Sequence, residues 1–89
     1  MKCFYIDLLK HRKVALALKP LIKIPIDDVT HSLTMCKEKF EMKYKSIKPE
    51  KSDALVFICN KGMTANKAVF LSGTLGYKNA FNFHILKLH

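Results

Sequence analysis

Arginine is almost absent from this sequence of 89 residues: Arg12 stands alone beside fifteen lysines, and there are only seven acidic residues. The formal net charge of +9 favours anionic partners of any kind. Recognition of nucleic-acid bases relies heavily on the planar guanidinium group, which lysine does not supply. We therefore expect no nucleic-acid partner. A lysine-rich protein that binds nucleic acid without sequence preference remains the weakest alternative.

Cysteines are few, and their spacing forms no known framework. Cys3, Cys36 and Cys59 are an odd number without a Cys-x-x-Cys pair, which argues against a secreted disulfide scaffold and against a zinc ribbon. The four histidines fall at no metal-ligand spacing. We therefore expect no metal and no cofactor, and an intracellular location, cytoplasmic or mitochondrial.

Long apolar runs are missing too. The longest N-terminal apolar stretch, Val14 to Leu18, is much shorter than the roughly 20 residues that cross a bilayer. We therefore expect no membrane partner. The length suits a single domain, and a composition of 49% hydrophobic and 26% charged residues is that of an ordinary globular protein.

The N-terminal segment, residues 1–21, is the hardest part to interpret. Residues 4–9 have the composition of a short strand and residues 11–19 that of a helical turn, but neither has a cap or a clear apolar period. We therefore divide the chain into an uncertain segment, 1–21, and a domain, 22–89.

A helical period follows Pro25. Apolar residues recur at spacings of four, three, four and four, after an aspartate that can cap a helix, Asp27 or Asp28. The pattern predicts a single helix, which ends before the polar loop 48–53. Its buried face would contain Val29, Leu33, Cys36, Phe40 and Tyr44, so Cys36 is expected in the core.

A strand, a tight connection, a helix and a second strand make up the remainder. Residues 54–58 are a continuous apolar run, typical of a strand buried on both faces, and Cys59 follows it directly. After the connection 60–64, Thr64 is expected to cap a helix that runs from Ala65 to Leu75 and is closed by Gly76. Residues 79–83 have the composition of a further short strand.

This βαβ order predicts an α/β fold with a parallel sheet flanked by helices. Ligand sites in such folds lie beyond the carboxyl ends of the strands, where the sequence places Cys59 to Thr64. Backbone N–H groups that turn toward a helix N-terminus stabilise a thiolate. Gly62 allows the turn, and Lys61 supplies a positive charge for an anionic substrate.

The segment Cys59-Asn60-Lys61-Gly62-Met63-Thr64-Ala65 resembles the active-site loop of the rhodanese (thiosulfate sulfurtransferase) family. Residues 23–29 are similar to the family's "NIPL" entry into its central helix. Residues 75–83 resemble its "LGYKNVYNY" helix exit and following strand. The resemblance covers roughly residues 22–83 and points to the small single-domain members of the family.

The resemblance implies a rhodanese-like parallel sheet flanked by helices and a two-step sulfur transfer without a cofactor. Cys59 would take sulfur from a small anionic donor, thiosulfate or a persulfide, and pass it to a thiol or cyanide acceptor. Lys61 would steer the donor, and the Thr64 hydroxyl would hydrogen-bond to the bound sulfur. The backbone N–H groups of Asn60, Lys61, Gly62, Met63, Thr64 and Ala65 would hold its negative charge.

The sequence departs from the family pattern at three places. Asn60 occupies the position where many members have arginine, and Ile6-Asp7-Leu8 lacks the arginine of the family's early Asp-Val-Arg segment. After Phe83 the family's Gly-Gly turn, tryptophan and last helix are not recognisable. These departures imply a domain shortened at both ends. They also favour the alternative function, a catalytically weak or inactive rhodanese-like binding module.

Cys59 is also compatible with two different roles. The first is that of a buried cysteine with a purely structural function at the end of a strand. The second is that of the nucleophile of a cysteine-based phosphatase or arsenate reductase, whose chemistry needs an arginine six residues after the cysteine to clamp the oxyanion. Position 65 is alanine, which disfavours that chemistry.

Overall fold

The computed structural model describes residues 2–8, 21–59 and 62–84, with the backbone alone at Gly62, Met63 and His84. None of the helices in these ranges is long and apolar enough to cross a membrane. The elements in chain order are β1 (Cys3–Asp7), β2 (Leu21–Lys23), a 3-10 turn (Ile26–Asp28), α1 (Val29–Thr34), α2 (Lys37–Tyr44), β3 (Ala54–Cys59), α3 (Gly62–Thr74) and β4 (Ala80–His84).

The four strands form one parallel sheet in the order β2-β1-β3-β4. Strand β3 is an inner strand, and all of its residues except the half-buried Val56 are buried. The predicted buried strand and the predicted parallel α/β fold are therefore confirmed. The other inner strand, β1, comes from the segment 1–21 that the sequence left uncertain.

The hydrophobic core lies on one face of the sheet, between the strands and the helices. Residues that share a register across β1 and β3, such as Phe4 with Leu55 and Ile6 with Phe57, point to the same face. The helices contribute buried residues from three elements to this face. These are Val29 and Leu33 from α1, Phe40 from α2, and Ala65 and Ala68 from α3.

The predicted single helix is in fact two helices, α1 and α2. Met35 and Cys36 between them have extended backbones, with ψ angles of 152° and 158°. This break shifts the helical phase, so that Met35 packs against the core while Cys36 is exposed. The prediction that Cys36 lies in the core is therefore wrong. Across the break, the Ser32 and Tyr44 hydroxyls hydrogen-bond to each other.

Helix α3 begins three residues earlier than the sequence predicted, at Gly62. Thr64 therefore lies within its first turn and is not its N-cap, which corrects the predicted cap. The helix ends at Thr74, and Gly76 follows with a φ angle of +98°, as expected of the glycine that closes a helix. Strand β4 lies within one residue of the predicted range, 79–83.

Strand β4 is an edge of the sheet, since it pairs with β3 alone among the described strands. Its residues, Ala80 to His84, include no Lys, Arg, Asp or Glu. Phe81 is 56% exposed and Phe83 is 46% exposed. This edge therefore exposes two phenylalanine rings and has no Lys, Arg, Asp or Glu in a strongly basic chain.

Asp53 anchors the loop that leads into β3. Its two carboxylate oxygens accept hydrogen bonds from the backbone N–H groups of Lys2 and Glu50, each at 2.9 Å. Its own N–H donates to the carbonyl of Glu50 at 2.9 Å. The N–H groups of Lys2 and Glu50 lower the pKa of the Asp53 carboxyl, because they stabilise its charged form. The side chain thus joins the start of β1 to the start of β3.

Replacing Asp53 with alanine should lower the free energy of unfolding by about 1 to 3 kcal/mol at neutral pH, because two backbone donors lose their partner. A folded-state pKa below the unfolded value gives stability that is present above about pH 4 and lost as the pH falls through the folded pKa. The difference between wild type and Asp53→Ala should therefore shrink from pH 7 to pH 3 in urea titrations. Glu38→Ala, at an exposed site, is the control, and a pH-independent difference would contradict the assignment.

Candidate active site

Cys59 is the last residue of the inner strand β3. Strand β1 lies on one side of it, where the N–H of Leu8 donates to the carbonyl of Ile58 at 3.1 Å. Strand β4 lies on the other side, with Cys59 in register with His84. The backbone of the candidate nucleophile is therefore fixed by strands on both sides.

The order of the strands makes this point a topological switch point. From β1 the chain continues to β2 on one side of the sheet, and from β3 it continues to β4 on the opposite side. In open parallel sheets, ligands bind outside the carboxyl ends of two neighbouring strands whose connections leave in opposite directions. Cys59 stands at the carboxyl end of β3, at the position that this rule identifies.

Helix α3 begins three residues after Cys59. The first four N–H groups of a helix have no partner within it, and its dipole is positive at this end. Gly62, Met63, Thr64 and Ala65 supply these groups. A negative charge on the Cys59 sulfur would therefore lie three residues from the start of a helix, an end that stabilises anions.

The structure describes only some of the predicted site residues. Asn60 and Lys61 lie outside the described residues, so the predicted roles of their side chains and N–H groups stay predictions. Thr64 is half-buried in the first turn of α3, and Ala65 is fully buried beneath it. The structure thus places the described members of the segment 59–65 together at the carboxyl edge of the sheet.

The three cysteines differ sharply in exposure. Cys59 is only 1% exposed and belongs to the hydrophobic core, whereas Cys3 and Cys36 are exposed. Cys59 is therefore packed by apolar residues of the core.

Asp7 is a polar residue of this edge to which the sequence assigned no role. It ends β1, is in register with Ile58 and is 4% exposed. An acidic residue that follows the apolar residues of a strand is a signal for such a position, because a buried carboxylate requires polar partners. Within the described ranges, no group of three His, Cys, Asp or Glu residues is arranged to hold a metal ion.

Comparison with known proteins gives consistent relatives. Over 62 residues, 70% of this chain, the sequence is 40% identical to the mouse (Mus musculus) thiosulfate sulfurtransferase/rhodanese-like domain-containing protein 3. The solved structure of the human single-domain sulfurtransferase TSTD1 superimposes with a TM-score of 0.80 at 27% identity, over 92% of this chain and 74% of that one. The chain is therefore similar, in sequence and in fold, to proteins of the rhodanese family. No model of a known protein family matches it.

A second protein with a rhodanese domain is also similar in sequence, and both matches cover only part of the relative. The Drosophila melanogaster rhodanese domain-containing protein CG4456 is 33% identical over 58 residues, 65% of this chain. The matched regions amount to 52% of that protein and 40% of the mouse protein. The chain therefore spans about half the length of the curated relatives it matches.

The fit of α3 beneath the site can be tested by two substitutions with opposite expected effects. Ala65→Leu adds volume at a position with no exposed surface and should destabilise the fold by about 1 to 3 kcal/mol through overpacking. Gly73→Ala is the matched change on the same helix, since no atom lies within 4 Å of the added Cβ. It should stabilise the fold by about 0.5 to 1 kcal/mol. Urea titration measures both, and equal effects of the same sign would contradict this packing.

Proposed function

We propose that the chain is a sulfurtransferase that carries sulfane sulfur as a persulfide on Cys59. The position of Cys59 supports this proposal most directly, because it ends an inner strand three residues before the start of α3. The similarity of the chain to rhodanese-family proteins supports the same chemistry.

The proposed reaction has two displacement steps. In the first, the Cys59 thiolate attacks the outer sulfur of thiosulfate, the new S–S bond forms, and the bond to the sulfonate sulfur breaks. Sulfite leaves with the electron pair of that bond, and Cys59 is left as a persulfide anion. In the second step, cyanide or a thiolate attacks the terminal sulfur and releases the Cys59 thiolate. No external oxidant or reductant is consumed, so the reaction needs no cofactor.

Negative charge is present on sulfur throughout this reaction, and the start of α3 is suited to it. Free N–H groups in the first helical turn stabilise an anion by hydrogen bonding and through the helix dipole. We assign this role to the N–H groups of residues 60–65. The Thr64 hydroxyl supplies a further hydrogen-bond donor. The positive charge of Lys61 attracts the dianion thiosulfate.

The burial of Cys59 motivates the second candidate function, a binding module without turnover. At 1% exposure, Cys59 presents very little surface to thiosulfate. Asn60 also lacks the positive charge that many family members have directly after the cysteine. In this alternative, Cys59 has a packing role and the loop forms no persulfide.

Thiosulfate treatment distinguishes the two functions. We expect intact-mass spectrometry to show the addition of one sulfur, and peptide mapping to locate it at Cys59 despite the exposure of Cys3 and Cys36. Cyanide should remove the added sulfur, since it is the acceptor in the second step. An adduct at Cys59 that cyanide removes would support the sulfurtransferase, and a folded protein without any adduct would support the binding module.

Serine substitutions supply the matched control for this experiment. Cys59→Ser should abolish the adduct, because serine cannot form a persulfide. Cys36→Ser should retain it, because Cys36 is exposed at the start of α2, away from the carboxyl edge. Circular dichroism melts of both variants show whether they fold. An adduct that persists in Cys59→Ser and disappears in Cys36→Ser would show that Cys36 is the reactive thiol and would contradict the proposal.

A further inference from the structure

A groove lies at the amino ends of the strands, at the opposite end of the sheet from Cys59. It has a volume of about 970 Å³ and is bordered by Lys2 before β1, Lys37 at the start of α2, the loop 47–53 and Tyr77. The six residues of β3 separate it from Cys59 by about 20 Å, at roughly 3.3 Å per residue. The groove is therefore distinct from the proposed sulfur-transfer site.

The charges around the groove are mostly positive. Only Glu50 and Asp53 are acidic among the lining residues. Both carboxylate oxygens of Asp53 already accept hydrogen bonds from backbone N–H groups, so this side chain stabilises the loop. Four lysines from three parts of the chain line the groove: Lys2, Lys37, Lys48 and Lys51.

The loop that carries two of these lysines is held firmly in place. The Tyr77 hydroxyl donates to the carbonyl of Pro49 at 3.1 Å, and the Asn79 side-chain amide donates to the carbonyl of Ser52 at 3.1 Å. Together with the Asp53 hydrogen bonds, these contacts fix the loop between Pro49 and Asp53. A partner that binds here does not have to order it, which favours affinity.

Lys51 has an additional support. Its Cδ lies 3.1 Å from the position that a Cβ on Gly76 would occupy. The methylene chain of Lys51 thus packs over the bare backbone of Gly76, whose φ of +98° favours glycine. The Nζ of Lys51 lies 3.6 Å from the same position, and the residue lines the groove.

The groove also has an apolar wall. Ile47 lines it and is 43% exposed, and the ring of Tyr77 is buried beneath it. An anion with no apolar part would leave this surface uncovered. The combination of lysines with an exposed isoleucine fits a chain that carries both carboxylates and an apolar side chain.

We propose that this groove binds an acidic segment of a partner protein, with its carboxylates on the four lysines and an apolar side chain against Ile47. Charge complementarity carries this inference, together with the fixed loop and the apolar wall. The volume reaches the upper end of small-molecule sites, roughly 300 to 1,000 Å³, which suits several residues of an extended peptide. Lysine ammonium groups act as point charges and suit single carboxylates.

The test is binding of a fluorescein-labelled peptide, seven glutamates with a central leucine, measured by fluorescence anisotropy at 0.05 M and 0.15 M salt. The groove variant is Lys37→Glu with Lys51→Glu. The control is Lys39→Glu with Lys67→Glu, which changes the net charge equally at exposed sites outside the groove. We expect the dissociation constant to rise at least about ten-fold in the groove variant and less than about three-fold in the control. Both variants should retain the circular dichroism melt of the wild type and the Cys59 adduct.

Two further measurements sharpen the assignment. Replacing the central leucine of the peptide with glutamate should weaken binding to the wild type but not to Ile47→Ser, because the apolar contact is then already absent.

Equal weakening in the groove variant and the control would overturn the proposal, since binding would follow net charge alone. Absence of peptide binding at 0.05 M salt would overturn it too. Tighter binding of a single-stranded octanucleotide, lost in the groove variant, would overturn the assignment to an acidic protein.

Discussion

Strand β3 must bury both of its faces, and most of the structure follows from this constraint. Its apolar residues are covered by the helices on one face, and its backbone groups pair with β1 and β4 on either side. The two ends of the strand are the places where polar chemistry is available. Cys59 stands at the carboxyl end beside the start of α3, and Asp53 organises the loop at the amino end. The strand therefore separates a candidate reactive end from a candidate binding end.

The sequence predicted well those features that depend on local composition. The apolar run 54–58, the closing Gly76 and the strand near 79–83 all lie where the pattern indicated. Predictions that depended on unbroken helical phase were less successful. Cys36 matched the apolar period, but two extended residues between α1 and α2 reset the helical phase and left it exposed. The spacing of apolar residues in the sequence is the same with or without this break, so it could not reveal it.

Interactions between distant parts of the chain could not be predicted from local patterns. Asp53 belongs to a polar loop in sequence, and only the fold brings its carboxylate to the N–H of Lys2, 51 residues away. Strand β1 gave a weak signal for the same reason, since its inner position depends on pairing with β2 and β3 and its side chains are buried by packing in the core. At the candidate site the segment 59–65 was recognisable, whereas the burial of Cys59 and the position of Asp7 depended on the assembled sheet.

The uncharged edge strand β4 has a consequence for the colloidal behaviour of the protein. Natural sheets protect an edge with charged residues, but here Phe81 and Phe83 are exposed and the strand has no charged side chain. The net charge of +9 repels other copies at low ionic strength, and added salt screens this repulsion within about 8 Å at 0.15 M. The solubility of the protein should therefore fall as salt is added. It should stop falling once the two phenylalanine rings are covered, either by a second copy of the chain or by another part of a larger assembly.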